Sequence, residues 1–368
     1  MSIKRKQIIL VAFLMLASLC FTVELVVKYY NEYKNMKLVP NKVDNYRILV
    51  DLIHNLQIER GLSVGFLTLN NDDNWQNVIN ARNKSDAILK QYENYLSDIQ
   101  GNYQKNVLND NLKKILALRK QVELLEAKDY ALKMTKVIKS FMNLSVGEGF
   151  AISTLSNSQD IYDYVLASYY LVNMREATGL LRANINAAFL SAKPSDNLQI
   201  KSVFENLGIF NTYLYQFGII LDKYEGEAKI KQIMEENQNK FQTLNSKYID
   251  IYVKNFTTGT YGANAYSWFK ESTDYINTLK VYGDYFLKRT HEEALKDLQE
   301  IESEMIFTLI LSLFFIVVGI ILSFLIVKNL IQSLNSIQST LGGFFSYLNH
   351  ESKNAPKPIN VKSNDEFG

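Results

Sequence analysis

Two apolar runs, Ile8–Val27 and Ile306–Val327, lie near the two ends of this 368-residue chain and constrain its fold more than any other feature. A helix rises about 1.5 Å per residue, so each run is long enough to cross the roughly 30 Å of hydrocarbon in a bilayer. Both read as transmembrane helices, which places everything between them in one compartment and both ends in the other. Lys4, Arg5 and Lys6 precede the first run, and such clusters stay in the cytoplasm. Glu300, Glu302 and Glu304 precede the second run and Lys328 follows it, in keeping with a return crossing.

This reading divides the chain into five segments. Residues 1–7 are a cytoplasmic start, 8–27 the first transmembrane helix, 28–304 a periplasmic domain, 305–327 the second transmembrane helix, and 328–368 a cytoplasmic tail. The chain is thereby expected in the inner (cytoplasmic) membrane. A cleaved signal peptide is the competing reading of residues 8–27, but the run exceeds a typical signal core. The single cysteine, Cys20, falls inside that run, so the external domain is held by packing without disulfides.

Between the membrane runs the only prolines are Pro40 and Pro194, and no stretch alternates as a sheet requires. The domain is expected to be all-α. Helices are expected over about 41–69, 75–99, 103–126, 129–155 (with Asp129 as cap), 159–191, 195–221 and 227–254. A Gly- and Thr-rich loop, FTTGTYGANAYS, follows. From about Ala265 one long helix runs through Trp268 and Tyr282 into the second membrane run. That makes eight external helices, enough for two stacked four-helix bundles.

Arginines on apolar faces point to a site. Tyr46, Leu49, Ile53, Leu56, Val64 and Leu67 all fall within about 40° of Arg60 on a helical wheel. A guanidinium so placed is costly to desolvate unless an anion meets its fork of donors. On the 159–191 helix Arg175 and Arg182 share a face with Tyr164, Leu171, Thr178 and Phe189, two turns apart, or roughly 10 Å along the axis. Arg60 also has a structural alternative, an ion pair with Glu148 or Glu176. In the Gly147-Glu148-Gly149 triplet the glycines permit close approach of another backbone.

At IERGLSVGFL (Glu59-Arg60-Gly61), at REATGLLRA (Glu176, Gly179, Arg182, Ala183) and at Trp268-Phe269 before Thr273, the sequence resembles the nitrate- and nitrite-sensing (NIT) domain of bacterial receptors. The resemblance spans roughly 41–287 and implies two four-helix bundles with nitrate or nitrite bound by the motif arginines, here Arg60 and Arg182. Arg175 joins them on helical geometry alone. Leu181 stands where the family often has Glu. The tail, FFSYLNHESKNAPKPINVKSNDEFG, is similar to the HAMP region of methyl-accepting chemotaxis proteins of the epsilonproteobacterial type, breaking off at the start of the second HAMP helix. Asn329 stands where many HAMP modules have proline.

The resemblance implies a homodimeric transmembrane chemoreceptor sensor that binds a small anion and acts on a cytoplasmic chemotaxis kinase and adaptor through a region beyond Gly368. The alternatives are the same sensor serving a histidine kinase or a nucleotide cyclase, and a helical surface protein without a small ligand. No catalytic residues are expected, since no nucleophile stands at motif spacing from a base and no phosphate loop is present. His54, His291 and His350 make no metal-ligand pattern, so neither a metal nor a cofactor is expected. A net charge of +2 gives no ground for a nucleic-acid partner.

Overall fold

A computed structural model describes residues 3–97 and 103–351, and every regular element within them is helical. In chain order these are α1 (Ile3–Met36), α2 (Val39–Leu69), α3 (Asp72–Ser97), α4 (Tyr103–Glu123), α5 (Tyr130–Ser156), α6 (Gln159–Ser191), α7 (Asn197–Asp222), α8 (Ala228–Leu244), α9 (Asp250–Asn255) and α10 (Ala265–Leu348). The expected helix end at Ile99 and Gly101, the Pro356–Pro358 connector and the NDEFG ending lie outside the described residues.

One compact unit, Asn35–Asp297, holds the helices between the two apolar runs. Its first bundle packs α2 on α3 and α5, with α4 against α5 and α3. Its interior is built from Tyr46, Leu49 and Ile53 of α2, Val78 and Tyr92 of α3, Ile115 and Val122 of α4, and Ile138 and Phe141 of α5, all essentially without solvent contact. The second bundle joins α6, α7, the α8–α9 rod and the start of α10 around an aromatic core that includes Phe210, Phe217, Tyr252, Trp268, Tyr275 and Phe286. α6 also packs on α5 and α2, which brings the two motif helices together.

Pro40 stands in the first turn of α2, where its missing N–H costs no hydrogen bond, and α1 stops four residues earlier. Asp129 does not cap α5: it is left-handed (φ 59°) and its side chain makes no capping bond. The cap of α7 is Asp196, whose carboxylate accepts from Gln199 N at 2.8 Å. A π turn, Asn245–Ile249, interrupts the expected 227–254 helix. It inserts one residue, so that Leu244, Tyr248, Ile249 and Tyr252 all reach the core. In the Gly-rich loop Gly259 has φ +74°, and a Cβ there would lie 2.4 Å from the carbonyl carbon of Lys193. Of the Gly147–Gly149 pair only Gly149 meets a neighbour, with its Cβ position 3.0 Å from Val165 Cγ1.

The other compact unit contains α1 and the C-terminal part of α10. Among the described residues α10 includes a stretch long and apolar enough to cross a membrane, and none of that stretch is buried. Ser323 Oγ lies 3.1 Å from Met15 Sδ, pairing positions from the two apolar runs.

Candidate anion site

Arg60 comes from the C-terminal half of α2, Arg175 and Arg182 from the middle of α6, and all three line one cavity of about 60 Å³. Thr273, Ile276 and Asn277 of α10 and His54, Gln57 and Ile58 of α2 complete the wall. One water needs on the order of 10–15 Å³ of such space, so the cavity takes a ligand of only a few heavy atoms. The glycines of the two motifs make room for the arginines. A Cβ on Gly61 would lie 3.4 Å from Arg182 Nη2, and one on Gly179 would lie 3.7 Å from Arg60 Nη2. Each guanidinium thus lies over the glycine of the other helix, as a close crossing of α2 and α6 requires.

The three cations differ in how they are held. Arg60 is buried and donates from Nη1 to Glu176 Oε1 (2.5 Å) and from Nη2 to Glu176 Oε2 (3.1 Å). Nη1 also donates to Thr135 Oγ1 of α5 at 2.7 Å. Glu176, not Glu148, therefore meets Arg60; Glu148 is turned to Lys42 (3.5 Å) and Gln104 within the first bundle. Among the described residues Arg182 has no carboxylate in reach of a salt bridge. Its Nη1 donates to Thr273 Oγ1 at 2.7 Å, and its guanidinium carbon lies 4.7 Å from the centre of the Phe269 ring.

Arg175 is 2% exposed, and its Nε and Nη1 have no hydrogen-bond partner among the described residues. Buried donors are rarely left so, because each costs about 1–3 kcal/mol when unsatisfied. The fields of Asp284 and Asp51 reach Arg175, but both aspartates are bound to Lys280 (Asp51 at 2.8 Å). Burial lowers the Arg175 pKa to about 10. Arg182 is likewise lowered to about 10, by burial first and then by the charge of Arg60. His54, with Nδ1 unpartnered, is pushed down to about 3 by burial, by Arg175 and by Lys280, so it stands neutral in the cavity wall.

Three guanidinium groups and one carboxylate leave an excess of positive charge around a small space with spare N–H donors. A flat trigonal anion accepts paired coplanar N–H groups, which a lysine ammonium cannot offer. The roles of Gln57 and Thr135 had no mark in the sequence beyond residue type, since they come from two different helices; Thr273 was marked only as the residue that closes the Trp268-Phe269 motif, without a role. The reciprocal glycines were within reach, because each is placed in the same motif as a site arginine.

Glu59, beside Arg60, faces the other way and is fully buried. It accepts from Arg119 Nε (2.7 Å) and Nη2 (2.9 Å) of α4. Arg119 reaches on to Asp86 at 2.7 Å, so consecutive residues of α2 tie the cavity to the interior of the first bundle.

No curated protein matches this sequence. Among solved structures, that of the NasR transcription antiterminator aligns with a TM-score of 0.52 at 15% identity, covering 87% of this chain and 88% of that one. At that identity the likeness is one of fold. The family described as "Nitrate and nitrite sensing" matches residues 51–291, a span that holds Arg60, Arg175, Arg182 and every other residue lining the cavity. The chain belongs to the nitrate- and nitrite-sensing (NIT) family.

Proposed function

We propose that this chain is the sensory part of a membrane receptor that takes nitrate or nitrite into the α2–α6 cavity from the periplasm. The observation that carries the reading is the fully buried Arg175, with two donors unmet, beside Arg60 and Arg182 on a cavity with room for a few atoms. Membership of the family supports nitrate and nitrite as the ligands. The apolar runs 8–27 and 306–327 support a chain that crosses the membrane twice. α10 starts against the Arg182 backbone, where Trp268 Nε1 donates to the Arg182 carbonyl at 3.0 Å, and it supplies Thr273 to the cavity. It is therefore the element that carries occupancy toward a cytoplasmic kinase-control module of the chemotaxis type, in a homodimeric receptor.

Thermal melting of the detergent-solubilised full chain tests the ligand. A ligand that binds only the folded state stabilises it by about 2.7 kcal/mol at a hundredfold excess over Kd. Nitrate and nitrite should raise Tm, whereas sulfate at equal ionic strength should not. No shift with either planar anion would remove the reading. For the topology, a reporter fused after Leu69 should be active only in the periplasm, and cytoplasmic activity would overturn it. For the relay, a Gly-Gly insertion between Lys328 and Asn329, in a fusion to a kinase-control domain, should leave nitrate binding intact and abolish nitrate-dependent output. Unchanged output would contradict a helical relay.

A further inference from the structure

Glu176 occupies Arg60 as a bound ligand would. A carboxylate is itself a planar group with two coplanar acceptor oxygens, and both are engaged with the guanidinium fork, at 2.5 and 3.1 Å. Gln57 Nε2, from the cavity wall, adds a third bond to Oε2 at 2.9 Å. The carboxylate stands on α6 immediately after Arg175 and six residues before Arg182. One stretch of helix thus carries two cations without a carboxylate partner and the anion that fills the third.

We propose that Glu176 is a tethered competitor for the ligand. An external anion entering the cavity takes Arg60 from it, and this exchange sets the affinity of the site and switches the contact between α2 and α6. The proposal rests on the cavity being the anion site. Without a ligand, Glu176 offsets one of three closely placed positive charges and keeps the empty site folded. A monovalent planar anion can replace it there while also using the spare donors of Arg175, which Glu176 leaves unmet.

The structural consequence falls on α6. The turn of α2 that carries Arg60 is anchored to α4 through the bidentate Glu59–Arg119 pair, so α2 is held when Arg60 changes partner. The bonds from Arg60 and Gln57 to Glu176 bridge α2 to α6, and their release frees α6, whose Arg182 carbonyl holds Trp268 of α10. A ligand shifts such an equilibrium only by its differential affinity for the two states, and the exchange of one anion for another supplies that difference.

Calorimetric titration of the detergent-solubilised full chain with sodium nitrate tests the exchange. Glu176→Gln removes the competing charge and should tighten nitrate binding about tenfold, inside the roughly 5–150-fold range of couplings between sites. Glu176→Asp keeps the charge but is one methylene too short to hold both guanidinium nitrogens, and it should also tighten binding, by less. A residue that is merely structural would weaken binding in both variants. If Asp binds like wild type and only Gln binds more tightly, Glu176 acts through its field alone and the exchange is wrong. If both bind as wild type or more weakly, the exchange is also wrong, although the site stands. Absence of nitrate binding in wild type and both variants would overturn the reading of the site itself. Should Glu176→Gln fail to fold, the Asp variant decides alone.

Discussion

At the scale of single residues, the site is built from charges drawn out of bulk water: Arg60 and Arg175 are buried and Arg182 is half-buried. Arg60 stood out because its helical stripe is otherwise apolar, and it is indeed buried. Its partner was not legible: Glu148 and Glu176 are both buried on inward faces, and only the crossing of α2 with α6 brings one of them to Arg60. Arg175 is the residue whose burial is offset only in part: the fields of Asp284 and Asp51 favour its charge, but among the described residues its Nε and Nη1 meet no acceptor. Arg175→Met keeps an unbranched stem, shorter than that of arginine, and removes the unmet donors, so the ligand-free protein should gain about 1–3 kcal/mol. The rise of Tm with nitrate should shrink in the same variant, and a variant that melts lower than wild type without ligand would contradict this. His54 gives a pH dependence. Its folded value of about 3 lies below its unfolded value of 6.5, so the unfolded chain takes up the proton first as pH falls. The stability due to neutral His54 is whole above about pH 6.5 and is lost toward about pH 3, at up to about 1.4 kcal/mol per pH unit. His54→Gln should flatten melting temperature against pH between 6.5 and 4.5, and an unchanged slope would show that His54 does not titrate in this way.

At the scale of elements, α6 was legible to the residue, because Gln159 follows a Ser-Asn-Ser turn and Pro194 closes the far side. The rod formed by α8 and α9 looks in the sequence like one helix over 227–254, since a π turn adds one residue without breaking the apolar pattern. The Asp129 cap failed for a backbone reason: in the left-handed region its carboxylate does not reach the first turn of α5. The motif glycines show a close helix crossing overriding helix propensity. Gly179 lies inside α6, where alanine would be favoured by roughly 0.5–1 kcal/mol, and its Cβ position is in ordinary contact distance of Arg60 Nη2 at 3.7 Å. Gly179→Ala should therefore raise the melting temperature of the ligand-free protein and weaken nitrate binding, because the methyl group takes space from a cavity of about 60 Å³. Weaker folding together with unchanged binding would mean that the glycine serves helix packing instead.

For the whole molecule, the all-helical architecture and the two bundles between the apolar runs followed from scarce prolines, sustained helical periodicity and the count of helices. What the sequence could not show was which faces meet, and the cavity depends on that: Thr273 is ninety-one residues from Arg182 and touches it through α10. In the site proposed here, three arginines from two helices bind a small planar anion through their forked geometry, not through charge alone. Nitrate calorimetry on the detergent-solubilised full chain, comparing wild type with Arg60→Lys and Arg182→Lys, measures this directly. Wild type should bind one nitrate per chain, and each lysine variant, although it keeps its positive charge, should lose most of the affinity. Equal affinity in wild type and both variants would contradict the account.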